Sequence, residues 1–179
     1  MSRPAAPGPQ ADIAAMIRVD HAGEYGAVRI YAGQMAVFGA RQSRAADAIR
    51  DMAKQEDVHF ARFEEIAAAR NVKPTLLQPL WHVAGFALGA ASALLGERTA
   101  MACTEAVEAV IDGHYAGQLA ALGAADPELS TAIAKFRAEE IAHHDAAVAH
   151  GAPKAIGHGL LTAAIQTGCS LAIALSSRF

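Results

Sequence analysis

Cysteine, aromatic side chains and charge are all scarce in this sequence, and each shortage removes a class of protein. Only Cys103 and Cys169 occur, far apart and without a C-x-x-C spacing, which excludes a disulfide framework, a zinc ribbon and a rubredoxin-type iron site. Both read as small buried hydrophobes. No G-x-G-x-x-G fingerprint is present, so the chain carries no sign of its own dinucleotide site. A net charge of -3 offers no general attraction to phosphate backbones, which argues against nucleic acid as a partner. Charged residues make up 18% and aromatics 6%, against 53% hydrophobic residues. That excess is aliphatic and rich in alanine, which favours close-packed helices over sheet.

With 179 residues, one domain is the expectation. Residues 1–11 carry Pro4, Pro7, Gly8 and Pro9 and read as a disordered tail. They lack the apolar run of a secretory signal and the repeated arginines of a transit peptide. Residues 12–179 then read as a single helical domain. Apolar positions at helical spacing predict helices over about 12–40, 43–70, 99–123 and 126–150. Between and after them lie two long stretches without Asp, Glu, Lys or Arg, at 74–96 and 155–177.

The chain repeats itself, its second half matching its first without a gap. Tyr31-Ala32-Gly33-Gln34 falls on Tyr115-Ala116-Gly117-Gln118, Glu24 on Glu108, Glu56 on Glu140 and His59 on His143, with 13 identities in the 38 positions from Ala22 to His59. Alanine matches arise by chance in such a chain, so the Glu, Tyr, Gln and His coincidences carry the weight. Each half, about 12–95 and 96–179, therefore reads as two amphipathic helices followed by one nearly apolar helix, the halves related by a pseudo-twofold axis.

Glu56–His59 and Glu140–His143 are each E-x-x-H, and residues three apart share a helix face. A single copy is weak evidence, because a surface Glu beside a His produces the same pattern. Two copies are a different matter when each follows another glutamate on a separate helix at the same interval, Glu24 before Glu56 and Glu108 before Glu140. One Glu from each of two helices plus Glu-x-x-His from each of the other two is the ligand set of ferritin-like di-iron or di-manganese bundles. Mixed carboxylate and imidazole donors suit those metals. Four converging carboxylates would be costly without cations. Glu56 and Glu140 are placed to bridge two metals, with Glu24 and Glu108 as terminal ligands. Glu105 competes with Glu108, and the repeat favours Glu108 because Glu105 corresponds to His21. The fold expected is all-α: a ferritin-like four-helix di-iron bundle with two additional apolar helices.

Other polar residues carry weaker signals. Tyr31 and Tyr115 point into the same core, where structural tyrosines with satisfied hydroxyls are common. His114 reads either as a wall of a substrate cavity or as an incidental polar residue. Asp112 is either a partner orienting a metal-bound imidazole or a solvated acid, and His144 falls on the next, exposed face. The uncharged stretches, flanked by Lys73, Arg98, Lys154 and Arg178, fit helices lying in a membrane interface better than spanning ones, with burial in the core as the alternative.

The segment Arg18–Ala27 (RVDHAGEYGA), Arg29–Val37 (RIYAGQMAV), Pro79-Leu80-Trp81, Gly85–Ala90, Met101–Thr104, Phe136-Arg137, Glu139-Glu140 and His143-His144-Asp145 together resemble the demethoxyubiquinone hydroxylase family over nearly all of 15–179. The resemblance implies a di-iron monooxygenase, with two iron ions as cofactor, that uses O2 to hydroxylate a polyprenyl methoxybenzoquinol in ubiquinone biosynthesis. It carries the ligand role onto Glu24, Glu56, His59, Glu108, Glu140 and His143, and places His114 and Tyr115 near the quinone. With neither a dinucleotide fingerprint nor a second redox centre, the reductant is expected to be external. The missing transit peptide suggests a peripheral enzyme on the cytoplasmic side of a bacterial inner membrane, although a processed organelle protein would look similar. A lipid-presenting protein or other ubiquinone-biosynthesis enzymes are the candidate partners. The alternatives are a ferroxidase or iron-binding protein and a non-enzymatic quinone-binding module at the membrane surface.

Overall fold

A computed structural model describes residues 12–179; the expected tail lies outside them. Among the described residues all regular structure is helical: α1 (Ile13–Phe38), α2 (Arg44–Ala69), α3 (Gln78–Leu94), α4 (Glu97–Leu122), α5 (Pro127–Ala149) and α6 (His158–Ser176), with a 3-10 turn at Ala152–Lys154. The expected repeat is visible in the backbone, since the shift that carries Glu24 onto Glu108 also carries both ends of α1 onto those of α4. Caps explain where the helices begin. The side chains of Asp12, Ser43 and Asp126 accept hydrogen bonds from the backbone N–H groups of Ala15, Ala46 and Leu129, satisfying donors that the first turn leaves free.

Gly39 and Gly123, at φ 49° and 52° with ψ -119° and -121°, end α1 and α4 in the same positive-φ conformation, and each donates its N–H back to the helix, to the carbonyls of Met35 and Leu119. Only glycine takes up that backbone shape cheaply. Two boundaries depart from the sequence expectation. The stretch before α3 is not helical throughout, because Pro74 and the turn at Thr75–Leu77 delay the helix to Gln78. α4 starts at Glu97 rather than near Thr99, directly after Gly96.

α1, α2, α4 and α5 form the bundle, with α3 laid along α1 and α6 along α4. Large apolar residues fill the bundle in two clusters. Tyr31, Phe38, Ile49, Met52 and Met101 lie towards one end, and Ile17, Phe63, Ile66, Leu122, Leu129, Ile133 and Phe136 towards the other. Along every one of the four helices, the buried glutamates and histidines sit between these clusters.

The two halves differ in how the apolar helix docks. A Cβ on Gly89 would lie 1.9 Å from the carbonyl oxygen of Ile30, and one on Gly33 would lie 2.2 Å from that of Phe86. α3 therefore packs backbone to backbone on α1. The repeat replaces Gly85 by Cys169 and Gly89 by Ile173, and these larger side chains hold α6 off α4. No Cα of α3 comes within 8 Å of a Cα of α6. Between the two helices lies an apolar cavity of about 560 Å³, with Ile30, Leu88, Val107, Ile165 and Ile173 in its walls. Trp81 Nε1 donates to Ser176 Oγ at 3.0 Å across one end of it.

This packing predicts opposite outcomes for two Gly→Ala substitutions. Gly89→Ala should destabilise the fold by about 1–3 kcal/mol through overpacking, lowering the melting temperature. Gly117→Ala, in a helix interior with nothing within 4 Å of its new Cβ, should stabilise by roughly 0.5–1 kcal/mol. Thermal melts followed by circular dichroism distinguish the two.

Candidate metal centre

Each bundle helix contributes one element of the site. α1 supplies Glu24, α4 supplies Glu108, α2 supplies Glu56 and His59, and α5 supplies Glu140 and His143. All six side chains are buried, none more than 3% exposed. The i, i+3 spacing stacks each Glu above its His on the inner face of the helix. The groups fall into two overlapping sets: Glu24, Glu56, His59 and Glu140 converge on one point, and Glu56, Glu108, Glu140 and His143 on another, the ligand atoms of each set lying within 4.8 Å of one another. Glu56 and Glu140 belong to both sets. Glu105, the rival of Glu108, is elsewhere, accepting from His158 Nε2 at 2.7 Å.

The distances show what the groups lack. His59 Nδ1 lies 3.0 Å from Glu140 Oε1 and 3.5 Å from Glu24 Oε2. His143 Nδ1 lies 3.0 Å from Glu56 Oε1 and 3.3 Å from Glu140 Oε2. None of these approaches completes a hydrogen bond. Both Nδ1 atoms, both oxygens of Glu56 and of Glu140, and one oxygen each of Glu24 and Glu108 are buried without a partner. Buried polar atoms are normally paired, so a ring of orphaned acceptors around two shared points is a fit for two cations. The donor set suits iron or manganese.

Electrostatics points the same way. Burial, reinforced by Glu140 and Glu24, pushes Glu56 well above the usual carboxylate range, and burial with Glu140 and Glu56 does the same to Glu108. Burial also raises Glu24. Glu140 is the exception: burial opposes its charge, but the imidazoles of His143 and His59 beside it prevail and hold it down to about 2. Burial likewise opposes the charge on His59, and the glutamates Glu140 and Glu24 override it and lift it to about 11. Bringing the four carboxylates together thus favours the protonated forms of Glu24, Glu56 and Glu108.

The surrounding contacts were only partly foreseen. Tyr31 Oη donates to Glu108 Oε1 at 2.8 Å, and Tyr115 Oη donates to Glu24 Oε1, so each tyrosine serves the other half's glutamate. His114 is partly exposed and hydrogen bonds through Nε2 to Asp20 Oδ1 at 3.1 Å; neither it nor Tyr115 is among the residues lining the apolar cavity. The buried Asp20 also accepts from Gln118, and the sequence reading passed over it. Asp112 takes no part in orienting an imidazole, because Arg137 Nε holds it at 2.6 Å. That role falls to Glu139, 2.7 Å from His59 Nε2, and Gln55, 2.5 Å from His143 Nε2. Both precede an E-x-x-H glutamate by one residue, and this shared register was the available signal.

Metal uptake should therefore release protons. Since the raised groups hold protons that a cation must displace, apparent metal affinity should fall as pH falls below neutrality. Titration of metal-free protein with a divalent metal in weak buffer should acidify the solution. Uptake without proton release would contradict this electrostatic picture.

Comparison with known proteins agrees with the geometry. The profile of the family described as "Ubiquinone biosynthesis protein COQ7" matches residues 11–176. A Rhodospirillum rubrum protein named 3-demethoxyubiquinol 3-hydroxylase is 52% identical over 175 residues, covering 98% of this chain and 82% of that one. A Mus musculus protein named NADPH-dependent 3-demethoxyubiquinone 3-hydroxylase, mitochondrial, is 53% identical over 168 residues, covering 92% and 76%. A Saccharomyces cerevisiae protein named 5-demethoxyubiquinone hydroxylase, mitochondrial, is 40% identical over 173 residues, covering 88% and 74%. Matches of this length and identity, meeting a buried four-glutamate, two-histidine cluster, establish that the chain belongs to the ubiquinone biosynthesis protein COQ7 family.

Proposed function

We propose that this chain is a di-iron hydroxylase that uses O2 to add a hydroxyl to the ring of a demethoxyubiquinol during ubiquinone biosynthesis, with residues 12–179 as its one catalytic domain. The observation that carries the reading is the pair of overlapping ligand sets beside an apolar cavity. Glu24, Glu56, His59 and Glu140 would hold one ion, and Glu56, Glu108, Glu140 and His143 the other. Two bound iron ions would supply O2 activation and the insertion of one oxygen atom into the ring.

The chain's own residues do the rest. Tyr31 and Tyr115 fix the free oxygens of Glu108 and Glu24 by hydrogen bonds, which leaves the other carboxylate oxygens aimed inward. Phe136, its ring centroid 4.2 Å from that of His59, and Phe63 shield the imidazole layer from water. The cavity walls include Gly23 and Val107, the chain neighbours of Glu24 and Glu108, so a flat ring entering between α3 and α6 meets small residues close to the glutamates. His114 and Tyr115, which hydrogen bond to Asp20 and Glu24 and are not among the residues lining the cavity, would act on the ring through those two acids. Electrons come from an external reductant; the mouse relative's name specifies NADPH.

A polyprenyl substrate resides in lipid, and the exterior of α3 and α6 suits that source. Leu80 and Val83 on α3, Leu94 and Leu95 at its end, and Leu160 and Leu171 on α6 are exposed. α6 is long and apolar enough to cross a membrane, with only 11% of its apolar window buried. Since its inner face lines the cavity, we place it flat in the interface, with the opening between α3 and α6 turned to the lipid. On this reading the enzyme is peripheral to the bacterial inner membrane on its cytoplasmic side, where a lipid-presenting protein would have access to it. A ferroxidase has no use for such a cavity.

Two experiments test the proposal. In a host lacking this hydroxylation step, the intact gene should restore ubiquinone as read by mass spectrometry. Glu140→Ala should leave the demethoxy precursor in place, with activity down by two orders of magnitude or more, given that losing even an outer-shell partner of a metal costs about 10–100-fold. Val83→Glu combined with Leu160→Glu should abolish cosedimentation with lipid vesicles while leaving the metal content and helical spectrum unchanged. Retained binding would remove the membrane face from the reading.

A further inference from the structure

The pseudo-twofold that builds the metal centre is broken at one pair of contacts. His59 and His143 both turn Nδ1 inward and Nε2 outward. The Nε2 of His59 meets Glu139 Oε2 at 2.7 Å, and that of His143 meets Gln55 Oε1 at 2.5 Å. Gln55 and Glu139 are equivalent under the repeat, each standing just before an E-x-x-H glutamate. Each reaches across from one E-x-x-H helix to the histidine of the other, Glu139 from α5 to α2 and Gln55 from α2 to α5. The geometry is shared and the chemistry is not. A carboxylate acceptor draws the imidazole proton outward through a charge-assisted hydrogen bond and leaves more electron density on the inward nitrogen. A neutral amide fixes the same tautomer without that push.

We propose that the two metal positions are unequal by construction: Glu139 is a positioning residue that makes the Glu24, Glu56, His59 and Glu140 position the tighter one, filled first, and Gln55 keeps the position of His143 weaker. This rests on the di-metal reading above. The inequality separates two positions that otherwise have matching ligands, three glutamates and one histidine each.

The test is an anaerobic titration of metal-free protein with cobalt(II), followed by absorbance and calorimetry. Wild type should bind two ions in resolved steps. Glu139→Gln should weaken the first step by about 10-fold or more, the typical cost of losing an outer hydrogen-bond partner, and leave the second step unchanged, so that the steps merge. Gln55→Glu should strengthen the second step alone. Glu139→Asp should restore part of the separation. The melting temperature of metal-free Glu139→Gln supplies the control: a purely structural role would lower it and weaken both steps together. Equal affinities in wild type, or equal effects of Glu139→Gln on both steps, would overturn the inference and leave the di-metal centre standing. No cobalt bound by the wild type would overturn both.

Discussion

Four carboxylates in a dry bundle set the terms for everything else in this protein. Two like charges about 4 Å apart repel by roughly 4 kcal/mol at an effective dielectric near 20. Several such pairs would consume the about 5–15 kcal/mol by which a typical domain is stable. The fold can hold Glu24, Glu56, Glu108 and Glu140 together only by putting positive charge among them. Without metal that charge is protonic: Glu140 stays ionised between His59 and His143, while Glu56 and Glu108 are driven towards neutrality. Two divalent cations would replace this arrangement with full neutralisation, and the unpartnered oxygens and Nδ1 atoms are those that coordination would satisfy.

The apolar clusters above and below the acidic layer follow from the same constraint. Ile49 and Met52 on one side and Phe63 and Ile66 on the other bracket Glu56 and His59 along α2, and the other three helices repeat the arrangement. These residues supply the burial that offsets an expensive centre, and they keep water from competing for the ligands. Alanine serves a different purpose. Small residues at 100, 102 and 106 on α4 let the helices approach closely enough for side chains as short as glutamate to meet in the middle.

Much of the centre was legible because it obeys the repeat. Glu24, Glu56 and His59, with their counterparts Glu108, Glu140 and His143, are fixed by helix geometry: given two E-x-x-H faces turned inward, the other two helices can complete the set only from positions at the same depth. What could not be read was whatever depends on a neighbouring helix rather than on spacing. Asp112 looked able to orient an imidazole from its place one turn after Glu108, yet Arg137 on α5 reaches it first. Glu139 and Gln55 act on histidines of the opposite half, a contact no single-helix pattern encodes. The helix bounds were nearly right, and they failed where glycine or proline decided a turn, at Gly96 and Pro74.

Where the repeat fails is as informative as where it holds. A perfectly twofold protein would pack α6 on α4 as closely as α3 packs on α1, and would close the bundle on both flanks. The exchange of Gly85 and Gly89 for Cys169 and Ile173 prevents this. It leaves space on one side of a centre whose ligands remain symmetric. On the di-metal reading, a site for two ions gains from symmetry, since each half contributes the same donors. A site that must also admit a ring and a long apolar chain needs an opening on one flank only, because a second opening would let water reach the glutamates. On the proposed reading the glycine contacts of α3 and the bulkier contacts of α6 would divide the labour, the close packing of one helix and the stand-off of the other leaving the apolar cavity on one flank only.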